Sequence, residues 1–274
     1  GLHKGFEDWE RFLRDHGCLK VRTSWKWDQK NHHLIRINTR LFPFRGARVR
    51  KQDLGEECPE TVIEPLPFNI PEGARIEQEW KDTEEMLARI GQQQGGARLK
   101  IMESRARMRI WQQCESAIVP YIAQRIRQDV KDGKSVAVFM NFNHSRLALA
   151  RLLNTNAGFY GGQPLPRRQH WEREFQADRE HILINNIGAG GASVSLHDVR
   201  GERSRVAYIF PTDDVVKMEQ ATGRVDRVGG KSVSQQFIPF VAGTMTEKMI
   251  MRTRLKMRRI ATINDGSSTA GARF

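Results

Sequence analysis

The sequence predicts an α/β fold, a parallel sheet with helices on both faces, preceded by a mostly helical and irregular segment. Three observations carry this expectation. Short runs dominated by apolar residues recur from residue 135 onward: "SVAVFMNF" (135–142), "HILINNI" (181–187) and "RVAYIF" (205–210). Strands that read as near-continuous apolar runs are those buried on both faces. Helical patterns separate them, as the crossovers of a parallel sheet require. Residues 1–75, in contrast, show no closed alternating pattern, so they read as part of something larger.

Along the chain, Phe6, Trp9, Phe12 and Leu13 fall at helical spacing, with Gly17 as a plausible stop. "VRTSWKWDQKNHH" is polar and irregular, and "LIRINTRLFPF" leads into a basic stretch. "TVIEPLPFNIPEG" reads as a short extended segment cut by prolines. Residues 78–131 are charged and mostly helical, interrupted by "GQQQGG" at 91–96. Trp111, Ile118, Val119, Ile122 and Ile126 form an apolar stripe, and Pro120 either kinks that helix or starts a new one. After the first strand comes the helix "HSRLALARLLN", then "AGFYGG" (157–162) as a shorter strand and "RRQHWEREFQ" (167–176) as a helix. "AGGASVSL" is the loop after the 181–187 strand. A helix over 213–224 and the strand "SQQFIPFV" (234–241) complete the series. Pro239 limits that strand to an edge or a short pairing. A basic amphipathic helix over about 246–261 and a Gly/Ser/Ala tail close the chain.

The 274 residues are enough for one large domain or two modest ones, and 39% hydrophobic with 28% charged residues suits a globular chain. No run approaches the roughly 18 apolar residues of a membrane helix, and no secretory leader is visible. Cys18, Cys58 and Cys114 are far apart and lack metal spacing, so neither a disulfide scaffold nor a metal site is expected. A reducing intracellular compartment fits, without distinguishing cytoplasm or nucleoid from nucleus. The net charge of +13 points to a polyanion, foremost nucleic acid. Two clusters concentrate it: Arg40, Arg45, Arg48, Arg50 and Lys51, and a second between Lys248 and Arg259. The chain opens on Gly1 rather than methionine and reads as a fragment or a processed form.

Gly-Lys-Ser occurs at 133–135 and 230–232, yet neither is a phosphate loop. That loop needs a glycine five positions before the Gly-Lys pair, where this chain has Gln128 and Val225, and both occurrences precede strands rather than helices. A different reading suits "QATGRVDRVGG" (220–230). If the 213–224 helix continues one turn, Gln220, Arg224 and Arg227 share a face at i, i+4 and i+7. Two guanidiniums there suit phosphate oxygens and charge that builds during phosphoryl transfer, although a solvated basic face is the competing explanation. Gly223 beside Arg224 suggests a close approach by another group. "NNIGAGGASVSLHD" follows a strand at its carboxyl end, where ligands bind in open α/β sheets, and Gly188, Gly190 and Gly191 let backbone approach a phosphate or a neighbouring domain.

The order of these pieces resembles the second RecA-like lobe of the superfamily 2 helicases, closest to the Swi/Snf-type DNA translocases. Ala189, Gly190 and Gly191 match the family's motif V, with Ser195-Leu196 where Asn-Leu is usual. Motif VI, Gln-x-x-Gly-Arg-x-x-Arg-x-Gly, matches at Gln220, Gly223, Arg224, Arg227 and Gly229, while Asp226 and Gly230 depart from the usual histidine and glutamine. Arg168 and Phe175 match the Arg-x6-Phe spacing between motifs IV and V. "TEKMIMRTRLKMRR" is similar to the brace helix, and "LFPFRGARVRKQDLGEECPETVIEPLPF" resembles the linker at the end of the first lobe, with Cys58-Pro59 in place of Leu-Pro.

The resemblance implies four parts: the end of the first lobe and linker (1–77), a charged helical connector (78–131), the second lobe with its brace helix (132–262) and a flexible tail (263–274). It implies arginine fingers at Arg224 and Arg227, an ATP cleft lined by Gln220, Gly223 and Gly188 to Gly191, and nucleic-acid contacts from Asn141, Asn143, Arg168 and Asn186. ATP and Mg2+ would be held mainly by a first lobe, since neither a Walker A loop nor an Asp-Glu box occurs in these residues. The implied partners are nucleic acid, with double-stranded DNA favoured, and that first lobe, with no membrane. The alternative is a non-catalytic nucleic-acid or protein binding module built on a degenerate RecA-like domain.

Overall fold

The computed structural model describes residues 9–15, 17–21, 24–27, 30–42, 46, 61–93, 96–190 and 194–266. Two compact units emerge, one of residues 55–253 and one of residues 1–54 with 254–273. The basic stretch after Phe42, Cys58-Pro59, Gly191 and the tail beyond Gly266 lie outside the described residues.

The larger unit is built on a five-stranded sheet in the order β3-β7-β6-β4-β5, every neighbouring pair parallel. Its strands are β3 (Thr61–Phe68), β4 (Ser135–Met140), β5 (Ile182–Asn186), β6 (Arg205–Ile209) and β7 (Ser234–Val241). Every residue of β4 and β6 is buried, which explains their unbroken apolar reading. One face packs on Ile110 and Cys114 of α4 (Ala97–Ala117) and on Ile122 and Ile126 of α5 (Val119–Lys131). α4 also packs on α3 (Pro71–Gln93). Pro120 sits in the first turn of α5, so it starts a helix rather than kinking one.

β3 precedes the boundary that the sequence suggests at 77/78, yet it pairs with β7 over its whole length. Pro65 and Pro67 are tolerated there because β3 is an edge strand. This corrects the expectation for β7: it lies inside the sheet, and only its pairing with β6 is short, ending at Phe237 before Pro239. "AGFYGG" forms no strand. Its backbone follows β5 through two hydrogen bonds, Ile184 N–H to Ala157 O (3.0 Å) and Asn186 N–H to Phe159 O (2.8 Å). A side chain at Gly158 would bring a Cβ within 2.0 Å of the Ile184 carbonyl oxygen, so only glycine permits this approach.

A buried ion pair ties the opposite sheet face to α7 (Leu165–Gln176): Arg205 and Asp178 lie 2.6 Å apart, exposed by 1% and 5%. The Arg205 guanidinium stacks over the Phe175 ring. α6 (Asn143–Leu153) follows β4, and α8 (Ile187–Gly190) is a single turn after β5. α9 (Val215–Val225) is capped by Asp214, whose carboxylate accepts the N–H groups of Val216 and Lys217.

The smaller unit contains α1 (Trp9–Asp15), an antiparallel pair of β1 (Cys18–Val21) and β2 (Ser24–Trp27), α2 (Asn31–Leu41) and the second half of α10 (Met245–Asp265). The β1–β2 pair and α2 replace the irregular stretch expected there. The Asn38 amide donates to the carbonyls of Ile263 (2.8 Å) and Asn264 (2.9 Å), satisfying the end of α10, which runs past the expected 261.

Candidate functional site

The carboxyl ends of β4 and β5 and the starts of α6, α8 and α9 border one open cleft of about 740 Å³. Asn141, Asn143, Arg168, Asn186 and Gly188 all line it, joined by Trp111, Thr212 and Lys217. Four sequence-selected residues from three separate segments thus converge on one surface, with Gly188 beside them.

Their roles differ. Asn143 is exposed in the first turn of α6. Arg168 donates from Nη2 to the Tyr160 carbonyl (2.9 Å), and its buried Nε meets no partner among the described residues. Asn186 carries a buried Oδ1 without a partner among the described residues. Asn141 turns its amide hydrogens toward the protein. They go to Glu115 Oε2 (2.8 Å) and the Pro211 carbonyl (3.1 Å). Glu115 is 2% exposed; it also accepts the N–H groups of Asn141 and Phe142 and the Ser145 hydroxyl. Burial raises its carboxyl pKa against the lowering effect of these donors. Asn141 therefore shapes the cleft floor.

Arg224 and Arg227 stand apart from this cleft. The helix ends at Val225 and Asp226 is extended, so the shared face of Gln220, Arg224 and Arg227 is not helical. Arg227 instead folds back, with Nε on the Gly223 carbonyl (3.2 Å) and Nη1 on Ser195 Oγ (2.6 Å). Arg224 is 9% exposed and donates from Nη1 to Val194 O (3.3 Å), while its own carbonyl accepts Leu196 N–H (2.9 Å). Burial, then the charge of Arg227, holds the Arg224 guanidinium below its usual pKa. Both arginines thus grip residues 194–196, the exit from the glycine turn.

Gln220 is exposed on α9. The close approach expected at Gly223 is not found: among the described residues a Cβ there meets nothing within 4 Å, and the same holds at Gly188. Gly190 ends α8, which packs on α9.

The sequence reading missed Glu172 and Gln176. Glu172 Oε1 accepts Ser195 N–H (2.6 Å), and the Gln176 amide donates to the Ser195 carbonyl. Their spacing from Arg168, four and eight residues along α7, was the available signal. Trp111 and Lys217 were also missed; Trp111 meets Phe142 edge-on at 5.0 Å.

Among the described residues no group of three His, Cys, Asp or Glu is arranged to hold a metal ion, and no helix is long and apolar enough to cross a membrane. No protein-family model matches the chain. It is 30% identical over 221 residues to "Putative ATP-dependent RNA helicase L364" of Acanthamoeba polyphaga mimivirus, an alignment covering 80% of this chain and 41% of that protein. The chain thus spans well under half the length of this curated relative. The crystal structure of the C-terminal part of the Fun30 ATPase domain is similar over 82% of this chain and 83% of its own, with 15% identity and a TM-score of 0.43.

Proposed function

We propose that the chain is a C-terminal, second RecA-like lobe of the superfamily 2 helicases and, as such, the nucleic-acid-gripping, arginine-finger half of an ATP-driven motor. The convergence of Asn143, Arg168, Asn186 and Gly188 on one cleft supports this reading most directly. Arg168 supplies a guanidinium and Asn143 an amide to successive phosphates, contacts that fix position without reading sequence. Asn141 holds the floor through Glu115.

Arg224 and Arg227 act on the γ-phosphate of an ATP bound by a first lobe. The donors here suit an anion, and in this reading the metal ion belongs to the first lobe. When bound, ATP supplies the free energy of closure. The residues of this chain present fixed positive charge to it and release it as the lobes part. The preferred track is double-stranded DNA, following the Swi/Snf-like motif VI.

The test is a paired measurement on the 274 residues. They are expected to bind DNA duplex in a salt-sensitive manner and to show no magnesium-dependent ATP hydrolysis until a first lobe is supplied. Hydrolysis by the chain alone overturns the division of labour, and tighter binding of RNA than of DNA duplex overturns the choice of track.

A further inference from the structure

Ser195 is held from three directions. Glu172 accepts its N–H, Gln176 donates to its carbonyl, and Arg227 donates to its hydroxyl. The first two side chains come from α7, the third from just beyond α9. Arg168, Glu172 and Gln176 occupy positions i, i+4 and i+8 of α7 and so project along one side of that helix. Its first turns carry the cleft residue Arg168; its last turn reaches the segment that the two arginines grip. One rigid helix therefore spans both halves of the candidate site.

We propose that Glu172 is a positioning residue that couples the nucleic-acid cleft to the arginine pair: through Ser195 it sets where Arg227 stands, and α7 moves that setting when Arg168 engages a phosphate. This rests on the function proposed above. The mechanism is mechanical and needs no titration of Glu172. A carboxylate or a carboxamide oxygen can accept the Ser195 N–H, whereas a methyl group cannot. The Leu196 N–H, bonded to the Arg224 carbonyl, lies next in the same strut and reports on its far side.

The experiment is amide hydrogen exchange of the full chain, with and without a short mixed-sequence DNA duplex, followed at Ser195 and Leu196. In the wild-type chain, duplex is expected to change exchange at these amides by about fivefold or more, the lower range of site-to-site coupling. Glu172→Ala should bind duplex as tightly as wild type and lose that response. Glu172→Gln should retain most of it. A purely structural role predicts that both variants melt lower and that any surviving response is unchanged, and this overturns the coupling. A Glu172→Ala chain that responds like wild type overturns it equally, as does a wild-type chain that binds duplex without any change at Ser195 and Leu196. Failure of the wild-type chain to bind duplex at all overturns the proposed function together with this inference, and so is distinguishable from the other results.

Discussion

The cleft and the arginine strut lie in the same unit, and both are rich in polar side chains, but they are built in opposite ways. In the cleft, Asn143 is exposed, and Arg168 and Asn186 each keep a polar atom without a partner among the described residues. In the strut, Arg224 is buried, Arg227 donates to Gly223 and Ser195, and the main chain of Ser195 is held on both sides by Glu172 and Gln176. The cleft residues line open space, whereas the strut residues are tied to one another across three segments of the chain. The same residue type is held in two ways: Arg168 by the Tyr160 carbonyl at the edge of the cleft, and Arg227 by Gly223 and Ser195.

Removing the Arg227 charge should have the largest effect. With a first lobe supplied, Arg227→Ala should cut the ATP hydrolysis rate by about 10³-fold or more, the range of an arginine finger, while nucleotide affinity changes little. Steady-state kinetics and nucleotide titration separate the two; equal losses in both would assign Arg227 to binding rather than to turnover.

Next comes the support beneath both regions. Asp178 follows α7 and pairs with Arg205 in the sheet at 2.6 Å. Asp178→Ala leaves a buried guanidinium unpaired and should destabilise the chain by about 3–5 kcal/mol, measured by chemical denaturation. A loss below about 1 kcal/mol would mean that the stacking on Phe175 and the bond to its carbonyl already satisfy Arg205.

The smallest effect concerns pH. His197 borders the strut; burial, then the charge of Arg227, depresses its pKa, and its buried Nδ1 has no partner among the described residues. A histidine whose folded-state pKa lies below its unfolded value of about 6.5 binds fewer protons folded than unfolded in that window. Stability should therefore be fully retained above about pH 6.5 and decline as the pH falls toward the depressed folded-state value. Melting temperatures across that range should fall less in His197→Gln than in the wild-type chain.

The parts legible in the sequence were those set by burial. β4, β5 and β6 announce themselves because no residue of β4 or β6 faces water. β1 and β2 were illegible because each is only four residues long, and β1 is largely exposed, Leu19 and Val21 included, which leaves no alternation to read there. The four cleft residues were singled out because they lie in or beside the stretches that resemble motifs IV to V, and the structure brings them to one cleft at the carboxyl ends of strands. The placement of Arg227 was not legible, since the condition for a shared helical face fails at an extended Asp226 that no spacing rule reveals. Glu172 escaped notice because its partner, Ser195, is 23 residues away in sequence.

The division between cleft and strut is tested most directly by titrating DNA duplex against the wild-type chain, Arg168→Ala and Arg227→Ala over a series of salt concentrations. Arg168→Ala should weaken binding and reduce the slope of log affinity against log salt by about 0.9, the loss of one phosphate contact. Arg227→Ala should leave both affinity and slope as in wild type. A slope reduced by Arg227→Ala and untouched by Arg168→Ala would contradict the account, placing the phosphate contact in the strut rather than in the cleft.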